Sequence, residues 1–292
     1  MKVLLLGANG MLGQAVKQNL EVSGAQVLGI DRAHSDFCFD LINDEKIEDC
    51  IEQVKPDVIF NAAAIVNINT CEENPGLSYQ VNGRLPGVLA ELCRKYGIYL
   101  VQVSTDHYYY GHGNIKHKES DQVVIVNEYA RSKYVGEQLA LTYSNALILR
   151  TNIVGFRGQG NETFIEWVIR SVCEGTKLSL FNDFYTSPIC VKSFSKVFSD
   201  LLQIRPTGVY NLASSTVSSK KEFILALSKE IFGHEPNYTE DSVENIQGVR
   251  RGQSLGLNTD KIETLLGYKM PNLDETIDSI AKEYKRIRGE KT

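Results

Sequence analysis

Tyr129 and Lys133 stand four residues apart in the segment NEYARSKYVGEQ, Asn127 to Gln138. The pattern reads as a helix, and residues four apart share a helix face. A phenol beside an ammonium suits the reduction of a carbonyl group. As hydride arrives, the carbonyl oxygen becomes an alkoxide and needs a proton. A free phenol, with a pKa of about 10, gives one reluctantly at neutral pH. A close cation lowers that value by about 1 to 3 units, toward the range where a general acid is efficient. Upstream, VQVSTDHYYYG supplies Ser104, Thr105 and Asp106. Thr105, with Ser104 as the alternative, is the expected donor to the carbonyl oxygen, and Lys133 the expected holder of a nicotinamide ribose. Taken alone, Y-x-x-x-K is more often a packed tyrosine and a solvated lysine, so its meaning rests on its surroundings.

Those surroundings begin at GANGMLG, which places Gly7, Gly10 and Gly13 between an apolar run, KVLLLG, and a helical pattern, MLGQAVKQNLEVSG. Glycines there let the backbone turn sharply and approach a diphosphate at the helix N-terminus. The loop residues Gly7, Asn9, Gly10, Met11, Leu12 and Gly13 are therefore expected to hold a dinucleotide. Asp31 ends a second apolar run, VLGIDR, 18 residues after Gly13, where a carboxylate accepts from adenosine ribose hydroxyls. That carboxylate disfavours a 2'-phosphate, whereas Arg32 attracts one, so NADH and NADPH both stay open. Asp40 and Leu41, in CFDLIND, are candidates to meet the adenine. Asn61, Ala62, Ala63 and Ala64 close a third run, where small side chains leave room for a cofactor or simply pack closely.

Along the chain, apolar runs at KVLLLG, AQVLGID, DVIFNAAA, IYLVQVST and ALILRT alternate with helical patterns. Strands apolar throughout, separated by helices, predict a parallel sheet covered on both faces, hence an α/β, doubly wound Rossmann-type fold. PGLSYQVNGRLPGVLAELCRKYG reads as one long helix with a Gly-Pro irregularity. Beyond Arg150 the rhythm loosens. Helices are expected at FIEWVIRSVCEG, VKSFSKVFSDLLQ and SKKEFILALSKEIFG, the last capped by Ser218 or Ser219, with strands at KLSLF and GVYNLA. The expected division is a cofactor-binding domain over 1–150 and a smaller C-terminal α/β substrate-binding portion over 151–292, with elements near 178–205 packing back on the first sheet.

Composition limits the alternatives. The 292 residues are 42% hydrophobic and 23% charged, an ordinary globular balance. A net charge of -5 argues against nucleic acid or an anionic membrane as partner. The apolar run in MKVLLLGANG is too short for a signal peptide, and no 18-residue apolar run suggests a membrane span, so a cytoplasmic location is expected. Six scattered cysteines lack C-x-x-C spacing and read as reduced, buried thiols. No Cys/His cluster implies a metal; HGNIKH reads as a polar loop. YYY, Tyr108 to Tyr110, is either loop packing or a sugar-stacking surface. Trp167, the single tryptophan, reads first as a core residue.

GANGMLGQ, PDVIFNAAA, CEENP, VNGRLPGVLAELC, VSTDHYYYG and NEYARSKYVGE together resemble the extended short-chain dehydrogenases/reductases. Within them the order resembles the dTDP-4-dehydrorhamnose reductase family of sugar-nucleotide 4-ketoreductases, nearly end to end. The resemblance implies catalytic roles for Thr105, Tyr129 and Lys133, a phosphate loop at Gly7, Gly10 and Gly13, a ribose acid at Asp31 and an adenine contact at Asp40 and Leu41. It implies NAD(P)H-dependent reduction of the 4-keto group of a nucleotide-linked 6-deoxysugar, by a dimer. Asp106, Asn69, Asn152 and Ile153 fall where that family binds its sugar. Here the chain departs from the pattern: T-S-W appears as Thr151-Asn152-Ile153, an Asp after NAAA as Asn69, the Q-x-G-x-P-T stretch as FYTSPIC, and an Arg-Pro as Arg251-Gly252. Trp167 is a candidate replacement for the lost aromatic. Two other readings belong to the same superfamily: a non-catalytic subunit similar to the regulatory subunit of methionine adenosyltransferase, and a nucleotide-sugar epimerase. A 4,6-dehydratase fits less well, because Thr105 is followed by Asp106 and His107 rather than an Asp-Glu pair.

Overall fold

The computed structural model describes residues 1–158 and 160–289; the last three residues of the expected 151–292 portion lie outside them. In chain order the first half contains β1 (Lys2–Leu6), α1 (Met11–Val22), β2 (Gln26–Asp31), β3 (Phe37–Cys38) and α2 (Asp44–Val54). β4 (Val58–Asn61), α3 (Ile68–Glu73) and α4 (Pro75–Ser78) follow. A π-helical segment (Tyr79–Arg84) then runs into α5 (Leu85–Tyr96), β5 (Tyr99–Val103), α6 (Glu128–Ala140) and β6 (Ala146–Arg150). The second half contains β7 (Ile153–Val154), α7 (Phe164–Cys173), β8 (Leu178–Phe181), β9 (Tyr185–Thr186), β10 (Ile189–Cys190) and α8 (Val191–Ile204). It closes with β11 (Gly208–Asn211), β12 (Ser218–Ser219), α9 (Lys220–Phe232), β13 (Tyr238–Asp241), α10 (Asp260–Leu266) and α11 (Leu273–Ile287).

Two compact units emerge. The first comprises Met1–Thr105, Ile125–Arg150 and Ser195–Tyr210; the second comprises Asp106–Val124, Thr151–Phe194 and Asn211–Thr292. Residues 106–124, inside the span expected for the cofactor domain, thus cluster with the second unit. The first unit is built on a sheet ordered β3-β2-β1-β4-β5-β6-β11. All pairings from β3 through β6 are parallel. The order reverses between β1 and β4, the point at which doubly wound sheets open a crevice for a ligand. The Rossmann-type expectation is borne out.

Local sequence explains most of the elements. Val3 to Leu6 are wholly buried, as a strand covered on both faces requires. α2 starts at Asn43, whose side chain accepts from Lys46 N, with Asp44 and Glu45 in its first turn, and ends at a left-handed Lys55 before Pro56. Between the two expected capping serines the structure chooses Ser219, which forms a reciprocal box with Glu222 while Gly233 closes α9 in the left-handed region.

One expectation needs correction. The stretch read as a single long helix is α4, a π-helical segment and α5 in succession. Pro86 has no N–H to return to the carbonyl of Asn82, so the regular ladder breaks there. The freed geometry is used: the buried Asn82 side chain accepts from Ile65 N (2.8 Å) and donates to Ile65 O (2.9 Å) and Ser132 Oγ (3.1 Å). It pins the turn after β4 to α6.

In the second unit β7 pairs with β10 and β8 with β13, both parallel, while β9 pairs antiparallel with β12. Its core gathers Val154, Ile165, Val168, Leu180, Phe223, Leu227 and Ile280 from strands and from α7, α9 and α11. Trp167 is not part of that core: it is 36% exposed, because the apolar face of α7 is already carried by Ile165, Val168, Ile169 and Val172. The cysteine expectation is also corrected in part. All six are free, and Cys50, Cys71, Cys93 and Cys190 are buried, but Cys38 and Cys173 are exposed. YYY divides: Tyr108 and Tyr109 are buried and Tyr110 is exposed. Tyr109 stacks on His117 at 4.1 Å, so HGNIKH ends as loop packing. No helix among the described residues is long and apolar enough to cross a membrane.

Candidate active site

The glycine loop joins β1 to α1. A Cβ on Gly7 would lie 2.8 Å from Ala63 N, and one on Gly13 would lie 2.2 Å from Gly7 O. Neither distance is tolerable for a real side chain, so both positions demand glycine, and the loop lies directly against the Ala62–Ala63 backbone. Gly10 caps α1 with no side-chain hydrogen bond, and the first turn, with Met11 and Leu12, holds no acid. The helix therefore presents bare N–H groups, the donor set a diphosphate needs. Asp31 ends β2 with its carboxylate turned to this loop: Oδ2 accepts from Asn9 N at 2.9 Å and Oδ1 from Arg32 N at 2.8 Å. Each oxygen retains acceptor capacity for a ribose hydroxyl. The residues present fit a dinucleotide.

The remaining expected cofactor residues take varied positions. Arg32 and Asp40 are exposed. Leu41 is buried in the apolar cluster of this unit. Asn61 is fully buried; it donates to Gln102 Oε1 (2.8 Å) and accepts from Ala63 N (3.1 Å). That pairing shapes the small-residue turn Ala62 to Ala64, whose members are half-buried.

Thr105, Tyr129 and Lys133 all belong to the first unit, and all three are buried, at 3%, 8% and 4% exposure. α6 places the phenol and the ammonium. Its N-cap, Asn127, accepts from Ala130 N at 2.9 Å, which fixes the helix start two residues before Tyr129. Lys133 Nζ donates to Val103 O, the last residue of β5, at 2.7 Å. Burial pulls the Lys133 ammonium down from its usual 10.5 to about 8, against the opposing influence of Glu137 and Cys71. It remains mostly cationic at neutral pH. Ser104, the alternative donor, already gives its hydroxyl to Glu137 Oε2 at 2.8 Å.

In the second unit Asp106 and Asn152 are brought together: Asn152 Nδ2 donates to Asp106 Oδ2 at 2.6 Å. Burial raises the Asp106 carboxyl, opposed by His107, by the Asn152 hydrogen bond and by Lys220. Burial also lowers the His107 imidazole and pulls Lys220 down to about 8. Ile153 opens β7, paired with Ile189. Asn69 is exposed on α3 of the first unit. Sequence reasoning missed Asn82, Glu137 and Arg150 of the first unit and Lys220 of the second. Of these only Glu137 left a signal, continuing the four-residue spacing of Tyr129 and Lys133.

The sheet order and the glycine loop define the class: a Rossmann-type α/β protein with a dinucleotide-binding turn. Across residues 1–286 the chain matches the RmlD substrate binding domain, and it belongs to that family. It is 28% identical to the probable low-salt glycan biosynthesis reductase Agl14 of Haloferax volcanii, over 96% of this chain and 97% of that protein. It is 31% identical to the dTDP-4-dehydrorhamnose reductase of Salmonella typhimurium, over 76% of each. The crystal structure of dTDP-4-dehydrorhamnose reductase from Bacillus anthracis, in complex with NADP, shares the fold with a TM-score of 0.87 at 23% identity, covering 97% of this chain and 99% of that one.

Proposed function

We propose that this chain reduces the 4-keto group of a nucleotide-linked 6-deoxysugar, in the manner of the dTDP-4-dehydrorhamnose reductases, for polysaccharide sugar biosynthesis. The observation that carries the reading is the burial of Thr105, Tyr129 and Lys133 within one unit, with Lys133 anchored to the carboxyl end of β5. NADH or NADPH supplies the hydride. Asp31 accepts from the adenosine ribose, and the open N-terminus of α1 receives the diphosphate. Asn61, Ala62, Ala63 and Ala64 border the cofactor, with Asp40 and Leu41 toward the adenine. Thr105 donates to the keto oxygen and polarises it. Tyr129 passes its proton to that oxygen as charge develops. Lys133 holds the nicotinamide ribose and makes the phenol a better acid.

Asp106, Asn152, Ile153 and Asn69 are assigned to the sugar side. The enzyme is assigned to the cytoplasm and to a homodimer, which light scattering on the purified protein tests. For the activity itself, a panel of nucleotide-linked 4-keto-6-deoxysugars, generated in situ, is mixed with each reduced cofactor while its absorbance is followed. Oxidation of one cofactor with stoichiometric sugar reduction is expected. A panel on which neither cofactor is consumed refutes the reading, and stoichiometric capture of a synthetase would then favour the regulatory-subunit alternative.

A further inference from the structure

α6 carries a third functional-looking side chain on the face of Tyr129 and Lys133. Glu137 lies one turn beyond the lysine, and its side chain is completely buried. Three donors close on it. Oε2 accepts from Ser104 Oγ (2.8 Å) and Arg150 Nε (3.1 Å), and Oε1 accepts from Arg150 Nη2 (2.5 Å). The Arg150 side chain is itself only 4% exposed. A buried ion pair is weak evidence for stability, since well-packed apolar residues often replace one without loss. Its placement points to another use. Val103, Ser104 and Thr105 are consecutive: Val103 O holds Lys133, Ser104 Oγ holds Glu137, and Thr105 comes next. Arg150 reaches in from the end of β6, the strand in register with β5, and Ser104 N donates to Leu149 O at 2.7 Å.

We propose that Glu137 is a positioning residue for the reduction: clamped by Arg150 and Ser104, it locks the Thr105-bearing end of β5 to α6 and supplies a buried negative charge one turn from Lys133. This rests on the reductase reading for its catalytic consequence, not for its electrostatic one. The groups acting on the Lys133 ammonium are Glu137 on its own helix and the Cys71 thiol on α3; Val103 contributes a carbonyl, and Arg150 faces Glu137.

The test reads Lys133 directly. Lysine ε-carbons are labelled with 13C and titrated by NMR without cofactor, the Lys133 signal being assigned by its loss in Lys133→Met. In the unaltered protein the midpoint is expected near 8. In Glu137→Gln it falls by about 1 unit or more, and the alkaline limb of turnover moves with it. Glu137→Asp keeps the charge and restores the midpoint. An unchanged midpoint in Glu137→Gln overturns the proposal. If that variant does not fold, Ser104→Ala decides: kcat falls about 10-fold at unchanged KM for the cofactor, and an unaltered kcat overturns it. Because the titration needs no substrate, its outcome and the outcome on the keto-sugar panel are separate results.

Discussion

The ammonium of Lys133 donates to the main-chain carbonyl of Val103 at 2.7 Å, so the cation expected to tune the tyrosine is tied to the strand that delivers the threonine. This contact ties Lys133, on α6, to the end of β5.

Replacing Tyr129 with Phe removes the proposed proton donor and keeps the packing of a ring that is 8% exposed. Turnover should fall at least about 10²-fold, with cofactor affinity by fluorescence titration unchanged. Full turnover in this variant removes Tyr129 from the mechanism. Thr105→Val should also lose turnover, whereas a loss confined to Ser104→Ala would transfer the donor role to Ser104.

The pH dependence has a defined sign. Lys133 is held near 8, below its usual 10.5, and its proposed role needs the cation. Turnover should therefore decline as pH rises through about 8. For stability the direction is opposite. Between about 8 and 10.5 the unfolded chain binds more protons than the folded one, so this group's contribution to stability rises with pH across that window. Lys220 contributes with the same sign. Denaturant unfolding of Lys133→Met and the parent, followed from pH 7 to 11, should show a smaller alkaline gain in the variant.

In the proposed function Asp31 governs cofactor choice. Asp31→Ser removes two accepted backbone hydrogen bonds on the carboxylate and its repulsion of a 2'-phosphate. NADH affinity should drop about 10-fold or more, as expected for a lost charged hydrogen bond, while the NADPH-to-NADH ratio rises with Arg32 retained. Titration of both cofactors against both proteins measures this. An unmoved ratio would remove Asp31 from the ribose site.

Thiol labelling reads the fold without any assay of function. Cys38 and Cys173 are exposed and should react with an aromatic disulfide reagent in the native state, whereas Cys50, Cys71, Cys93 and Cys190 are buried and should react only on unfolding. Burial raises the thiols of Cys50, Cys71 and Cys93, which slows them further. Rapid native labelling of more than two cysteines would contradict the packing.

The sequence by itself determined what depends on neighbours along the chain. The apolar runs around Leu4, Ile59, Val101 and Leu147 marked buried parallel strands; Gly7, Gly10 and Gly13 marked the tight turn between β1 and α1; and the four-residue step from Tyr129 to Lys133 marked one helix face. Each signal is local, because strand and helix periodicity and glycine geometry act over a few residues. Only the tertiary structure decided what those faces meet. Glu137 finds Ser104 and Arg150, Asn82 finds Ile65 and Ser132, and Asn152 finds Asp106. These partners are separated in sequence by 13 to 50 residues. Strand order and helix packing set such pairings, and no local periodicity encodes them. The π-helical turn before Leu85–Pro86 belongs with them: the sequence marked an irregularity in one long helix, and the π geometry that brings Asn82 to Ile65 and Ser132 appears only in the tertiary structure.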